Sequence, residues 1–215
     1  MFSWIKTKAK EYWPPSIDAS TTDTEEELLA LDTGMGPWDI GRPQSAFMSL
    51  ATSHQLRGPV LDVGCGTGEN ALYLAGLGFD VTGVDSARPA IEAAREKGRL
   101  RQVRANFRVV DVFDLACLGT TFDTVIDSGF FHLLTDEERV RFLPSLAAVL
   151  RPGGTYAMLC FSDQETRQGP RRISRAEIES TFRTGWTIRD IQAATFETKI
   201  HEGGANAWLA TMTRV

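Results

Sequence analysis

The stretch "VLDVGCGTGENALYLA", Val60 to Ala75, constrains this chain more than any other. An apolar run that reads as a strand meets a run that reads as a helix, with Gly64, Gly66 and Gly68 between them. Glycines there let the backbone turn tightly and approach a ligand closely. In an open α/β sheet such a ligand lies outside the carboxyl ends of the strands. A dinucleotide fingerprint needs GxGxxG. Here the spacing is GxGxG, and Glu69 stands where the third glycine belongs. A pyrophosphate on that helix N-terminus would meet a carboxylate, so a ligand without phosphate is expected.

The residues that follow keep one rhythm. "FDVTGVD" predicts a strand and "ARPAIEAAREKG" a helix closing on Gly98. "NFRVVDVFD" and "FDTVIDSG" predict strands. "TDEERVRFLPSLAAVL" predicts a helix capped by Thr135, with a kink or break at Pro144. "TYAMLCF" reads as a buried strand and "SRAEIESTF" as a helix. "WTIRDIQAATFET" and "NAWLATMTRV" close the chain as two strands joined at "HEGG". Alternating strands and helices imply a doubly wound parallel sheet, and two strands in succession imply an antiparallel hairpin at one edge. Upstream, Phe2, Ile5, Ala9 and Tyr12 share a helical face before Pro14 and Pro15, and "EEELLALD" predicts a helix capped by Asp23 or Thr24. We divide the chain into an arm and lid segment, 1–57, and a ligand-binding domain, 58–215.

Composition excludes several classes. A net charge of −5 offers no basic footprint for nucleic acid. No apolar run is long enough for stable membrane insertion. The opening "MFSWIKTKAKEYWPP" lacks the apolar core of a secretory signal. Cys65, Cys117 and Cys160 form no CxxC, which fits a cytoplasmic location and predicts no metal site.

Two acidic positions narrow the ligand. Asp85 ends the second strand, where a carboxylate can take both hydroxyls of a ribose. Asp111 ends the third, "FRVVD", where it could accept from an adenine amino group. With these in place, "LDVGCGTG", "VTGVD", "VVDVFD", "FDTVIDSGFFHLL" and "LRPGG" resemble the class I S-adenosylmethionine-dependent methyltransferases. The resemblance implies a Rossmann-like seven-stranded sheet with the last strand antiparallel. It implies S-adenosylmethionine as cofactor, with Gly64, Gly66 and Gly68 around its methionine part. Asp62 would orient that loop or hold the amino group through water. Asp85, with Ser86 beside it, would bind the ribose. Asp111 and Val112 would read the adenine, and Asp127 would lie near the amino acid end. The plain alternative for Asp62 and Asp127 is that they brace turns.

A sulfonium methyl is already activated, so the enzyme must align a nucleophile and exclude water. After the fourth strand the chain has "DSGF" rather than the "[DNS]PP[YFW]" of enzymes acting on nucleic-acid amines. No basic stretch or recognition domain is visible, which leaves a small-molecule acceptor. "GPWDIGRPQSAF", Gly36 to Phe47, resembles the "PWD-x-G" segment of the thiopurine, thiol and halide methyltransferase group and its bacterial phenol- and quinol-methylating relatives. There the segment crosses the cofactor. The resemblance implies that Trp38 packs near the sulfonium, a cation–π contact, as part of an N-terminal helical lid. Asp39 and Arg42 would sit near the methionine carboxylate and amine, or pair with each other; Asp39 is also a candidate for the transfer step.

His132, in "GFFHLL", is a candidate base for an oxygen acceptor. Thiols ionise more readily and halides need no base. The plain alternative is a histidine bonded to local backbone. Phe130 and Phe131 are expected to split between core and pocket. His54 and His201 read as surface or loop residues, and Arg167, Arg171 and Arg172 as a basic loop cluster. The leading reading is S- or O-methylation of a small, aromatic molecule, for detoxification or natural-product tailoring. The competing readings are a scaffold or sensor that binds the cofactor without turnover, and a nicotinamide oxidoreductase.

Overall fold

Val60–Val63, here β1, is buried along its whole length, so it reads as a continuous apolar run rather than an alternating one. That pattern requires cover on both faces, and the computed structural model, which describes residues 36–215, supplies it. In chain order the elements are α1 (Ser45–Thr52), β1, α2 (Glu69–Gly76), β2 (Val81–Asp85), α3 (Arg88–Arg101), β3 (Asn106–Val109), β4 (Phe122–Ser128), α4 (Asp136–Val149), β5 (Leu150–Phe161), α5 (Arg175–Thr181), β6 (Trp186–Phe196) and β7 (Ala205–Arg214). Short 3₁₀ helices occupy Val112–Leu118 and Phe131–Leu133. The helices expected within residues 1–35 lie outside the described residues.

The seven strands form one sheet in the order β3-β2-β1-β4-β5-β7-β6. β1 through β5 pair in parallel, and β7 runs antiparallel to both β5 and β6. This is the Rossmann-like α/β methyltransferase sheet, with its last strand antiparallel. The order reverses at β1, which lies between β2 and β4, so a crevice opens at the carboxyl ends of these strands.

Two apolar clusters sandwich the sheet. One gathers Leu61, Val63, Val125, Phe131, Phe142, Tyr156 and Phe182. The other gathers Phe47, Leu50, Ala71, Leu72, Ile91, Phe107, Ile126 and Leu159. Phe47 and Leu50 of α1 are thus buried in the same core as the domain that begins at residue 58.

Local expectations failed in instructive ways. Gly98 does not close α3, which runs on to Arg101 and caps on Gln102 in the left-handed region. Gly98 instead serves close packing, since a Cβ there would lie 3.0 Å from the Val103 carbonyl. Pro144 does not break α4, which continues to Val149. The carbonyl four residues back belongs to Val140, whose side chain is exposed, so the lost hydrogen bond falls on the solvent face. β3 stops at Val109, and "VFD" turns into 3₁₀ helix because Asp111 accepts from the Phe113 amide and caps it.

Candidate active site

The glycine loop joins β1 to α2. Gly64, Gly66 and Gly68 all have positive φ, and two of them are hemmed in. A Cβ on Gly64 would press on Phe130, and one on Gly68 would sit 2.8 Å from the Phe107 ring and 2.9 Å from Ala94. The loop is held from β2, because the Asp85 carboxylate accepts from the Gly66 amide at 2.9 Å and from the Ala87 amide at 2.8 Å. Burial raises the Asp85 pKa while these amides oppose the shift. Ser86 is exposed beside it.

Asp62 is fully buried in β1, and neither carboxylate oxygen has a hydrogen-bond partner. Burial pushes its pKa well above the ordinary value, the Asp127 and Asp85 carboxylates add to this, and only the Ala71 amide near the start of α2 works against it. Such a group needs an incoming donor. Asp127, in β4, is the opposite case. It accepts from the Phe130 amide at 2.8 Å, the Phe131 amide at 3.1 Å and the Tyr156 hydroxyl at 2.7 Å. Burial still lifts its pKa to about 6 against those bonds. Asp127 therefore braces the turn after β4, and Asp62 does not brace its own. Asp111 caps the 3₁₀ helix that follows it, and the carbonyl of buried Val112 accepts from the Ser145 hydroxyl at 2.7 Å.

Glu69 is not left facing the loop. Lys97 bonds it at 2.7 Å, and Arg101 grips both its oxygens at 2.7 and 2.9 Å. Burial opposes its charge, but Arg101 and Lys97 prevail and hold the carboxyl below its usual range.

The Gly36–Ser45 segment is tied to both sides of this end of the molecule. The Asp39 carboxylate accepts from the Thr67 hydroxyl of the glycine loop at 2.9 Å and from the Gly41 amide at 3.2 Å, with Lys97 at 3.7 Å. These bonds commit it as a strut and leave it poorly suited to the transfer step. Arg42 is exposed and does not pair with Asp39; it bonds Glu197, just after β6, at 2.7 Å. Trp38 is half-buried against the core, its ring directly over Gly36.

His132 is buried, and its Nδ1 accepts from the Phe161 amide at 3.1 Å. The ring packs on Phe161 and Phe196 at centroid distances of 5.1 and 5.8 Å. Burial drives its pKa down to about 3, assisted by the charges of Arg139 and Arg172. With Nδ1 accepting, the proton of the neutral ring sits on Nε2, which makes that nitrogen a donor. The expectation of a general base at His132 therefore meets a geometric obstacle. Phe131 is core, while half-buried Phe130 lies against Gly64 of the glycine loop and also packs edge-on against Phe142 of the core. His201, read as a surface or loop residue, lies in the β6–β7 loop but is buried, its ring set edge-on to Phe161 and bonded between Thr198 and the Gln168 carbonyl. Arg167, Arg171 and Arg172 bond Glu165, Asp136, Glu177 and loop carbonyls. Sequence reasoning missed Glu197, Gln44 and Lys97 because their partners are remote in the chain.

Residues 60–154 match the family model described as a methyltransferase domain. The chain is 33% identical over 162 residues to the 2-heptyl-1-hydroxyquinolin-4(1H)-one methyltransferase of Mycobacteroides abscessus, covering 74% of this chain and 71% of that protein. This chain belongs to the class I S-adenosylmethionine-dependent methyltransferases. The methyltransferase is also 32% identical over 186 residues to the cypemycin N-terminal methyltransferase of a Streptomyces species, covering 78% and 75% of the two chains. A solved structure from work on the conversion of a disulfide bond into a thioacetal group during echinomycin biosynthesis superposes with a TM-score of 0.76 at 35% identity, covering 86% of this chain and 90% of that one. The 1,6-didemethyltoxoflavin-N1-methyltransferase of Burkholderia thailandensis, solved with its substrate and S-adenosylhomocysteine, shares the fold at a TM-score of 0.69 and 20% identity, over 93% and 92% of the chains.

The residues present fit the family's cofactor. Asp62 has two buried, unsatisfied acceptor oxygens to offer an ammonium, and the glycine loop carries no side chain at Gly64, Gly66 and Gly68, each in a positive-φ conformation. Among the described residues no helix is long and apolar enough to cross a membrane, and no group of side chains could hold a metal ion.

Proposed function

We propose that this methyltransferase acts on a sulfur or an acidic oxygen of a small, aromatic or apolar molecule, in detoxification or in tailoring a natural product. The observation that carries the reading is the His132–Phe161 bond. It leaves the end of β4 without a histidine base, while the neighbouring Tyr156 and Asp127 are bonded to each other. An acceptor that arrives already ionised needs no base, and thiols and acidic hydroxyls meet that condition. Packing of His132, Phe161 and Phe196 makes the surroundings aromatic, which suits a planar or apolar partner. Two relatives agree in chemistry: one is named for a hydroxyquinolone, and the other comes from work on a disulfide.

Bound cofactor supplies an electrophilic methyl on sulfur. On this reading Asp62 holds the ammonium of the methionine part, Asp85 and Ser86 the ribose, and Asp111 and Val112 the adenine edge. Trp38 covers the reactive end and keeps water from it. Asp39 holds the Trp38 segment to the glycine loop, and Asp127 shapes the turn that presents Phe130. The segment's likeness to the thiopurine, thiol and halide methyltransferases supports the same assignment.

The test is S-adenosylhomocysteine production with iodide, an aryl thiol, a hydroquinone, a hydroxyquinoline and a peptide with a free N-terminus. Turnover is expected with the thiol and the hydroxyquinoline. Turnover confined to the peptide would replace this reading with the one the cypemycin relative suggests, and tight cofactor binding with no turnover would favour a binding protein.

A further inference from the structure

The Gly36–Ser45 segment has few apolar residues with which to hold itself in place, and the fold supplies a clamp from the far end of the chain. Glu197 follows β6 directly. One of its carboxylate oxygens accepts from Arg42 at 2.7 Å. The other accepts from the Ser45 amide at 2.8 Å and the Ser45 hydroxyl at 3.0 Å. Its backbone takes part as well. The Glu197 amide donates to the Gln44 side-chain carbonyl at 2.8 Å, and the Glu197 carbonyl accepts from the Gln44 side-chain amide at 2.9 Å. Two residues later the Lys199 amide donates to the Pro37 carbonyl at 2.8 Å.

These bonds do more than decorate a surface. Gln44 is buried, and the Glu197 side chain is 19% exposed. Gln44 stands at the N-cap of α1 but makes no side-chain cap bond, so Glu197 satisfies an amide that the helix start leaves open. Burial works against the charge of Glu197, yet Arg42 and the Ser45 amide win and hold its carboxyl below the ordinary range. The clamp is therefore ionised throughout the neutral range.

Trp38 stands between two anchors. Pro37 before it is tied to Lys199, and Asp39 after it is tied to Thr67 of the glycine loop. We propose that Glu197 is a positioning residue that holds the Trp38 segment in its closed placement, so that cofactor binding does not have to order it. This rests on the reading that Trp38 covers the cofactor. A segment ordered beforehand costs less on binding, and a segment released from its clamp reduces the apparent affinity by the fraction of time it spends elsewhere.

The experiment is S-adenosylhomocysteine affinity by titration calorimetry, which needs no knowledge of the acceptor. Glu197→Ala is expected to weaken binding several-fold, at most as much as Trp38→Ala does, and Glu197→Gln by less, since its carbonyl can still accept from Ser45. Arg42→Ala, at an exposed partner, should weaken it by roughly 2-fold. In a Trp38→Ala background, Glu197→Ala should have almost no further effect, an outcome that a general loss of stability would not give. Unchanged affinity in Glu197→Ala overturns the proposal. So does an equal loss with and without Trp38. If Glu197→Ala does not fold, wild-type affinity in both Glu197→Gln and Arg42→Ala overturns it instead. Unchanged affinity in Trp38→Ala alone sinks the covering role of Trp38, separately from the clamp.

Discussion

The amide of Phe161 in β5 donates to Nδ1 of His132, 29 residues earlier in the chain, at 3.1 Å. This bond settles which ring nitrogen carries the proton, and it makes a prediction about rate. His132→Asn keeps an acceptor near the Nδ1 position and should retain most of kcat. His132→Ala leaves a buried amide unpaired and should lose about 1–3 kcal/mol of stability in urea unfolding. The wild-type pH–rate profile should show no limb near neutrality assignable to this ring, whose pKa is held down to about 3. A limb near pH 6.5 that vanishes in His132→Asn would restore it as the base.

Asp62 predicts proton release. In the cofactor-free protein its pKa is pushed well above the ordinary carboxylate value, first by burial and then by Asp127 and Asp85. An ammonium placed against it favours the charged form. Binding of S-adenosylhomocysteine should therefore expel a proton, and affinity should rise with pH up to the raised value. Calorimetry in buffers of different ionisation enthalpy reads the proton directly. Stability of the cofactor-free protein runs the opposite way. A carboxyl with a raised folded pKa contributes stability below its unfolded value of about 4, which is lost as pH climbs through the folded one. Cofactor-free Asp62→Asn should thus equal or exceed the wild type in stability at pH 8, while binding about 10-fold more weakly and releasing no proton. Equal proton release in the variant would locate the titrating group elsewhere.

Gly68 and Gly119 share a left-handed backbone, with φ of +85° and +67°, but differ in surroundings. Nothing lies within 4 Å of a Cβ built on Gly119. Gly119→Ala should cost about 1 kcal/mol, from backbone strain alone. Gly68→Ala adds overlap with Phe107 and Ala94, and should cost about 2–4 kcal/mol. Equal midpoints in urea would mean that the glycine loop yields more readily than its packing implies.

Gly36 offers a way to move Trp38 without removing it. A Cβ at Gly36 would overlap the indole ring, so Gly36→Ala must displace it. If the indole contacts the sulfonium, Gly36→Ala and Trp38→Ala should each raise the KM for S-adenosylmethionine by roughly 2–30-fold, the range of about 0.5–2 kcal/mol for a cation–π contact. S-adenosylhomocysteine lacks that positive charge, so its affinity should fall less. Equal losses for both ligands would reduce Trp38 to packing.

Local signals carried much of the reading. The glycine loop and the Thr135 cap act within a few residues of themselves, and each appears where its pattern placed it; Asp85 ends β2 as read, although the Gly66 amide it holds lies 19 residues earlier. The α1 helix was not legible. Its first amide is capped by Glu197, 152 residues away, and nothing in "RPQSAF" announces that partner. Gly98 misled for a related reason, because a glycine that permits close packing looks the same in sequence as one that ends a helix.

By itself, then, the sequence determined the alternation of strands and helices, the conformation of the loop at the cofactor end and the family. These depend on apolar periodicity, on glycine's freedom of φ and on short-range caps. Tertiary structure decided what each polar group is free to do. It left Asp62 unpartnered and Asp127 saturated, although both are buried carboxylates on neighbouring strands. It turned Asp39 into a strut, gave Arg42 to Glu197 and set the tautomer of His132. A hydrogen bond is fixed by distance and angle in space, and separation along the chain carries no information about either.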